Sequence, residues 1–135
     1  MKTLPLSVSK LQVLQLISDQ ITIDILTAIS NNVNNPRNLR QLLDLSERQY
    51  YDRISELMNM GLVRRKNGKV FITSFGQIVY KAQSKIAIAF THSSELRMID
   101  LIKSHSGLSE DQQQSLIDKI LVNSEIMDMI TPLGL

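Results

Sequence analysis

Asn67-Gly68 lies between two runs of β-prone residues, Leu62-Val63-Arg64-Arg65-Lys66 and Lys69-Val70-Phe71-Ile72-Thr73. A two-residue Asn-Gly connection specifies a type I′ turn, because both positions need positive φ, and the turn in turn fixes the register. The register predicted pairs Lys66 with Lys69, Arg65 with Val70, Arg64 with Phe71 and Val63 with Ile72. The base of this ribbon is apolar and its tip carries four cations. Like charges opposite one another destabilise a hairpin by roughly some tenths of a kcal/mol. A polyanion would relieve that repulsion, releasing its condensed counterions as it binds. The bland alternative is that Lys and Arg guard exposed strand edges against aggregation.

The rest of the chain has helical spacing, so the fold class expected is mainly α with a small β-hairpin. Ile17, Ile21, Ile25, Ala28 and Ile29 recur every three or four residues, on one face of a helix starting near Asp19. Asn31, Asn32, Asn34 and Asn35 end it. Upstream, Val8, Leu11, Leu14 and Ile17 could form a short leading helix bounded by Pro5. Asn35-Pro36 opens a second helix, Asn as the cap and Pro where the missing N–H costs nothing. Leu39, Leu42 and Leu43 are its expected apolar face. Ser46-Glu47-Arg48-Gln49 is a capping box that starts a third helix, with Tyr50, Ile54, Leu57 and Met58 inward and Gly61 as its left-handed end. The break between these helices is about three residues, a helix-turn-helix connection. Beyond Ser74 a stripe of Ile78, Val79, Ala82, Ile86, Ala89 and Phe90 predicts a long helix. Leu96, Ile99 and Ile102 suggest another. Ser109-Glu110-Asp111-Gln112 opens a last one carrying Leu116, Ile117, Ile120, Leu121, Val122, Ile126, Met127, Met129 and Ile130, and ending before Pro132. These divide the chain into a lead-in (1–18), a winged helix-turn-helix (19–76) and C-terminal helices (77–135).

Several function classes find no support. The chain has no cysteine, which removes disulfides, thiolate metal sites and cysteine nucleophiles. His92 and His105 are thirteen apart and lack paired-ligand spacing, so no metal is expected. No phosphate-cradling glycine loop, Gly-x-Ser-x-Gly or His-Glu-x-x-His occurs, and neither catalysis nor a cofactor is expected. The six Met residues read as gap-filling core or interface. No apolar run approaches a membrane span and no signal-peptide pattern is present, so a cytoplasmic protein with no membrane partner is expected.

Charge is sorted along the chain. Residues 1–35 balance two Lys against two Asp, residues 36–85 hold ten basic and four acidic side chains, and residues 86–135 hold three basic and seven acidic. The middle is suited to a negative partner and the end is not.

Helix, helix, tight turn, helix, glycine and basic hairpin is the order of a winged helix-turn-helix. Residues 38–76 resemble the core of MarR-like and ArsR-like winged-helix repressors. The resemblance rests on the Ser-started third helix, Leu57-Met58-Asn59-Met60-Gly61-Leu62-Val63, and the Thr-x-x-Gly exit in Ile72-Thr73-Ser74-Phe75-Gly76. With the preceding helix it covers roughly residues 19–90. The Cys or His clusters by which many ArsR-like proteins sense metals are missing.

The resemblance implies that the third helix enters the major groove and the wing follows the backbone or the minor groove. It also implies a homodimer formed through helices flanking the core, here the C-terminal ones. Two-fold symmetry would then present two reading helices to a palindromic site. The residues agree with a double-stranded DNA partner. Helical spacing turns Arg48, Gln49, Asp52 and Arg53 outward as candidates for base readout, since Arg can chelate guanine and Gln adenine through paired hydrogen bonds. Asp52 and Glu56 would repel phosphates, which favours groove entry by this face. Arg37, Asn38, Arg40, Ser46 and Tyr51 are candidates for the DNA backbone. Arg64, Arg65, Lys66, Asn67 and Lys69 form the wing. A dimeric transcriptional regulator is the expected function, its effector unknown. A winged-helix module for protein–protein interaction within a larger assembly is the alternative.

Overall fold

A computed structural model describes residues 9–105 and 107–121. The described residues form seven helices and one two-stranded antiparallel hairpin, a mainly helical fold with a wing. Contacts divide the chain into two compact units, residues 1–83 and residues 84–135. The expected border at 76/77 therefore differs from the observed one, because the helix after the wing begins by packing on the wing's own core.

In the first unit, α1 (Lys10–Leu16) opens with a capping box between Ser9 and Gln12. Asp19 caps α2 (Gln20–Ser30), whose Ile25, Leu26, Ala28 and Ile29 are buried. Asn35 caps α3 (Pro36–Leu43), its side chain accepting from the backbone N–H groups of Arg37 at 2.9 Å and Asn38 at 3.4 Å. Asp44, at φ 52°, ends α3 in the left-handed region. Two residues later Ser46 caps α4 (Glu47–Asn59) in the expected capping box, so the turn is as short as its caps require. Leu39, Tyr50, Ile54 and Leu57 are buried together with the α2 face.

Two leucine and methionine positions depart from expectation. Leu42 is 61% exposed, because a helix of two turns directs Leu39 and Leu43 inward and leaves Leu42 beside their face. Met58, next to fully buried Leu57, is also exposed.

Gly61, at φ 76°, turns the chain into β1 (Val63–Lys66), and Asn67 (φ 52°) with Gly68 (φ 74°) turns it back into β2 (Lys69–Ile72). The four expected pairs form the ladder. Strand alternation puts Val63, Arg65, Val70 and Ile72 on one face and Arg64, Lys66, Lys69 and Phe71 on the other. Val63 and Val70 are buried and Ile72 packs on the core, which docks the first face. The Val70 backbone N–H donates to the Asn34 carbonyl at 2.9 Å, tying the wing to the loop before α3.

Thr73 closes the wing. Its hydroxyl donates to the Gly61 carbonyl at 2.6 Å and accepts from the Gly76 N–H at 2.9 Å. Gly76 then passes so close to β1 that a Cβ there would overlap the Leu62 carbonyl oxygen. The Thr-x-x-Gly motif is thus a cap joined to a close backbone approach.

The helix α5 (Ser74–Thr91) follows, running through the division between the units. Of its apolar stripe, Ile78, Ile86 and Phe90 are exposed. Phe75, Tyr80 and, from the stripe itself, Val79 pack on the first core. In the second unit, α6 (Ser93–Ser104) and α7 (Glu110–Ile120) bury Ile99, Ile117 and Leu121, with Ile88, Leu96, Ile102 and Ile120 against them. The Ser109–Gln112 capping box is present. Leu116, from the same apolar stripe, is exposed. The last-helix residues Val122 to Ile130 lie outside the described residues.

Candidate nucleic-acid interface

The candidate surface comprises the start of α3, the first two turns of α4 and the wing. On α4, caps and burial settle the fate of each outward residue. Arg48 is the most available, its side chain 92% exposed and its Nε 3.9 Å from Asp52 Oδ2. Such a pair across solvent is worth little and is easily exchanged for another acceptor. Asp52 is exposed beside it.

Gln49 is divided between two tasks. Its Oε1 accepts the Ser46 backbone N–H at 3.0 Å, while Ser46 Oγ accepts the Gln49 N–H at 3.1 Å. Paired contact with adenine uses both the oxygen and the nitrogen of the amide, so it would break half of the capping box. The amide NH2 group remains open to a single acceptor. Ser46, with its oxygen accepting, keeps its hydroxyl proton to donate.

Arg53, the last of the expected readers, is engaged within the protein. It faces the N-terminus of α2, donating from Nε to Asp19 Oδ2 at 2.8 Å and from Nη2 to Asp19 Oδ1 at 3.4 Å. Both side chains are about two-thirds buried. The Arg53 hydrogen bond holds the Asp19 carboxyl below the usual carboxylate range against the opposing effect of burial, and Thr22 adds two further hydrogen bonds. The same contact raises the Arg53 guanidinium. Helical spacing alone turned Arg53 toward solvent; its partner lies 34 residues earlier. The sequence marks a helix start near Asp19 but does not show Asp19 as the residue that occupies Arg53.

Among the backbone candidates, Arg37 and Asn38 are exposed in the first turn of α3. Arg40 is half-buried, and its Nε is buried with no hydrogen-bond partner among the described residues. Tyr51 is 42% exposed and stands edge-on to buried Tyr50, ring centroids 5.0 Å apart. Burial pushes the Tyr50 phenol above its ordinary range, with Tyr51 adding to the effect and Arg65 opposing it.

On the wing, Arg64, Arg65, Lys66, Asn67 and Lys69 are all exposed. No wing cation forms an ion pair among the described residues. The Arg64 guanidinium lies 5.8 Å from the centroid of the Phe71 ring, near the outer range for a cation–π contact. That contact leaves its N–H edges open. The ladder sorts the four cations: Arg64, Lys66 and Lys69 share one face, and Arg65 lies on the other.

Among the described residues, no cluster of three metal-ligating side chains occurs, and no single helix is long and apolar enough to cross a membrane. No family model matches the chain, and no curated protein matches it.

Proposed function

We propose that this chain binds double-stranded DNA with sequence preference, as a dimeric transcriptional regulator of the MarR-like and ArsR-like kind. The observation that carries the reading is the availability of its cations: Arg48 nearly fully exposed on the first turn of α4, and a wing tip whose positive side chains have no acidic partner among the described residues. Phosphate contacts from Arg37, Asn38, Tyr51 and the wing orient the protein, and Arg48 reads base edges from the groove. Asp52 is exposed beside Arg48 and disfavours laying α4 along phosphates.

The dimer is supported by the apolar side chains that one copy leaves uncovered. Ile78, Ile86 and Phe90 are 52–78% exposed along α5, a pattern that a second copy would cover. Cytoplasmic localisation accords with the absence of cysteine.

Selection of bound sites from a random duplex pool tests the reading. Recovery of a two-fold symmetric sequence, with Arg48→Ala relaxing preference at one position and Lys66→Ala weakening all sequences alike, is expected. Recovery of no enriched sequence, together with no duplex binding at low salt, would overturn it in favour of a protein-binding winged helix.

A further inference from the structure

Four hydrogen bonds converge on the Asp19 carboxylate. Oδ2 accepts from the Thr22 backbone N–H at 3.0 Å, the Thr22 hydroxyl at 2.9 Å and Arg53 Nε at 2.8 Å, and Oδ1 accepts from Arg53 Nη2 at 3.4 Å. Thr22 is fully buried. One short side chain therefore joins the first turn of α2 to the middle of α4.

The consequence for α4 is angular. Tyr50, Ile54 and Leu57 determine which side of the helix faces the core. Apolar contacts are non-directional, so they set the buried side of the helix more firmly than its exact angle. A guanidinium held by both carboxylate oxygens fixes orientation as well as distance, because its planar fork meets the carboxylate in few geometries. Arg48 and Asp52 are on the same rod, so the direction in which they project follows from this contact.

We infer that Asp19 is a positioning residue that, by holding Arg53, fixes the roll of α4 and so determines which sequence the helix prefers, an inference that rests on the DNA-binding reading above. Arg53 then serves recognition without touching DNA. If it were instead a reader, Asp19 would act as its competitor and removing the carboxylate would strengthen binding. The two possibilities differ in sign.

Asp19→Asn in the full chain separates the roles of the residue. Asn caps helices about as well as Asp, so the Thr22 contact survives while the charged fork to Arg53 is lost. Arg53→Lys keeps the charge on α4 and removes the fork. For both variants, affinity would be measured for a selected duplex and for a random duplex of equal length. The expected result is a roughly tenfold fall in the preference for the selected duplex, with affinity for the random duplex changed by less than about twofold. Unchanged preference, or tighter binding by Asp19→Asn, would overturn the inference. Amide hydrogen exchange on the free protein, with no DNA present, gives the second readout. Faster exchange confined to α4 in both variants is expected, and exchange unchanged in α4 would overturn the positioning role. Absence of wild-type binding to any duplex, by contrast, would overturn the DNA-binding reading and the sequence-preference claim with it, leaving the exchange result to judge only the mechanical link between Asp19 and α4.

Discussion

Gly76→Ala sets two physical effects against each other. Replacing a helical glycine by alanine ordinarily stabilises by about 1 kcal/mol, through lower backbone entropy in the unfolded chain. Gly76 is the third residue of α5, so propensity alone predicts a gain. The added Cβ would, however, overlap the Leu62 carbonyl oxygen and stand 2.9 Å from Ile72 Cγ1. The carbonyl is backbone and cannot swing aside as a flexible side chain would. It also accepts from the Thr73 backbone N–H at 3.0 Å and lies 3.1 Å from the Thr73 hydroxyl, whose one proton is shared with the nearer Gly61 carbonyl, so moving it strains the closure of the wing. Overpacking costs about 1–3 kcal/mol, and a weakened hydrogen bond about 1 kcal/mol more. The net expectation is destabilisation by about 2 kcal/mol, a fall in Tm of roughly 8–16 °C for a unit of this size. Urea and thermal unfolding followed by circular dichroism measure it. Gly68→Ala is the control: it meets nothing within 4 Å, and its cost comes only from the positive φ of 74°. That cost is roughly 1–2 kcal/mol. A Gly76→Ala protein as stable as wild type would refute the account of how α5 clamps the wing.

Two other expectations concern the ion pair and the dimer. Because Asp19 has a lowered carboxyl pKa in the folded chain, its contribution is fully present above the ordinary aspartate value and lost as pH falls through the folded one. Wild type should therefore exceed Asp19→Asn in urea-unfolding free energy by about 1 kcal/mol at neutral pH, screening by solvent included, and the gap should close below about pH 4; a gap that persists at the lowest pH at which both variants fold would remove the ion pair as its cause. Ile78→Glu should convert a dimer to monomers in sedimentation equilibrium with its helical content retained, since Ile78 is 70% exposed in one copy; unchanged association would exclude this part of α5 from the interface.

The legible part of the fold was local. Asn35-Pro36, the Ser46–Gln49 box, Gly61 and Asn67-Gly68 specify their own geometry within a few residues, and each appears where the sequence places it. The Thr-x-x-Gly exit was readable as a pattern, but its cause, the Leu62 carbonyl against Gly76, lies across the hairpin. The misread faces have a common origin. Helical spacing shows which residues share a side, yet not which of them meet the core: of the α5 stripe Val79 packs inward, while Ile78, Ile86 and Phe90 stay exposed. Arg53 illustrates the same limit for charge. Its outward spacing was real, but Asp19 waits there, brought close by the packing of α2 on α4 rather than by any local motif. Arg48 and the wing cations stand exposed, as helical spacing and strand alternation place them, and none is held by a distant carboxylate among the described residues.

The salt dependence of duplex binding tests the central claim most directly. Affinity for a random duplex, measured by fluorescence anisotropy over a range of salt concentrations, should fall linearly on a log–log plot with a slope near −0.9 for each phosphate neutralised. A Lys66→Ala, Lys69→Ala double variant should reduce the steepness by about 1–2 units. A flat response in wild type, or a slope the wing substitutions leave untouched, would contradict the assignment of these cations to a nucleic acid.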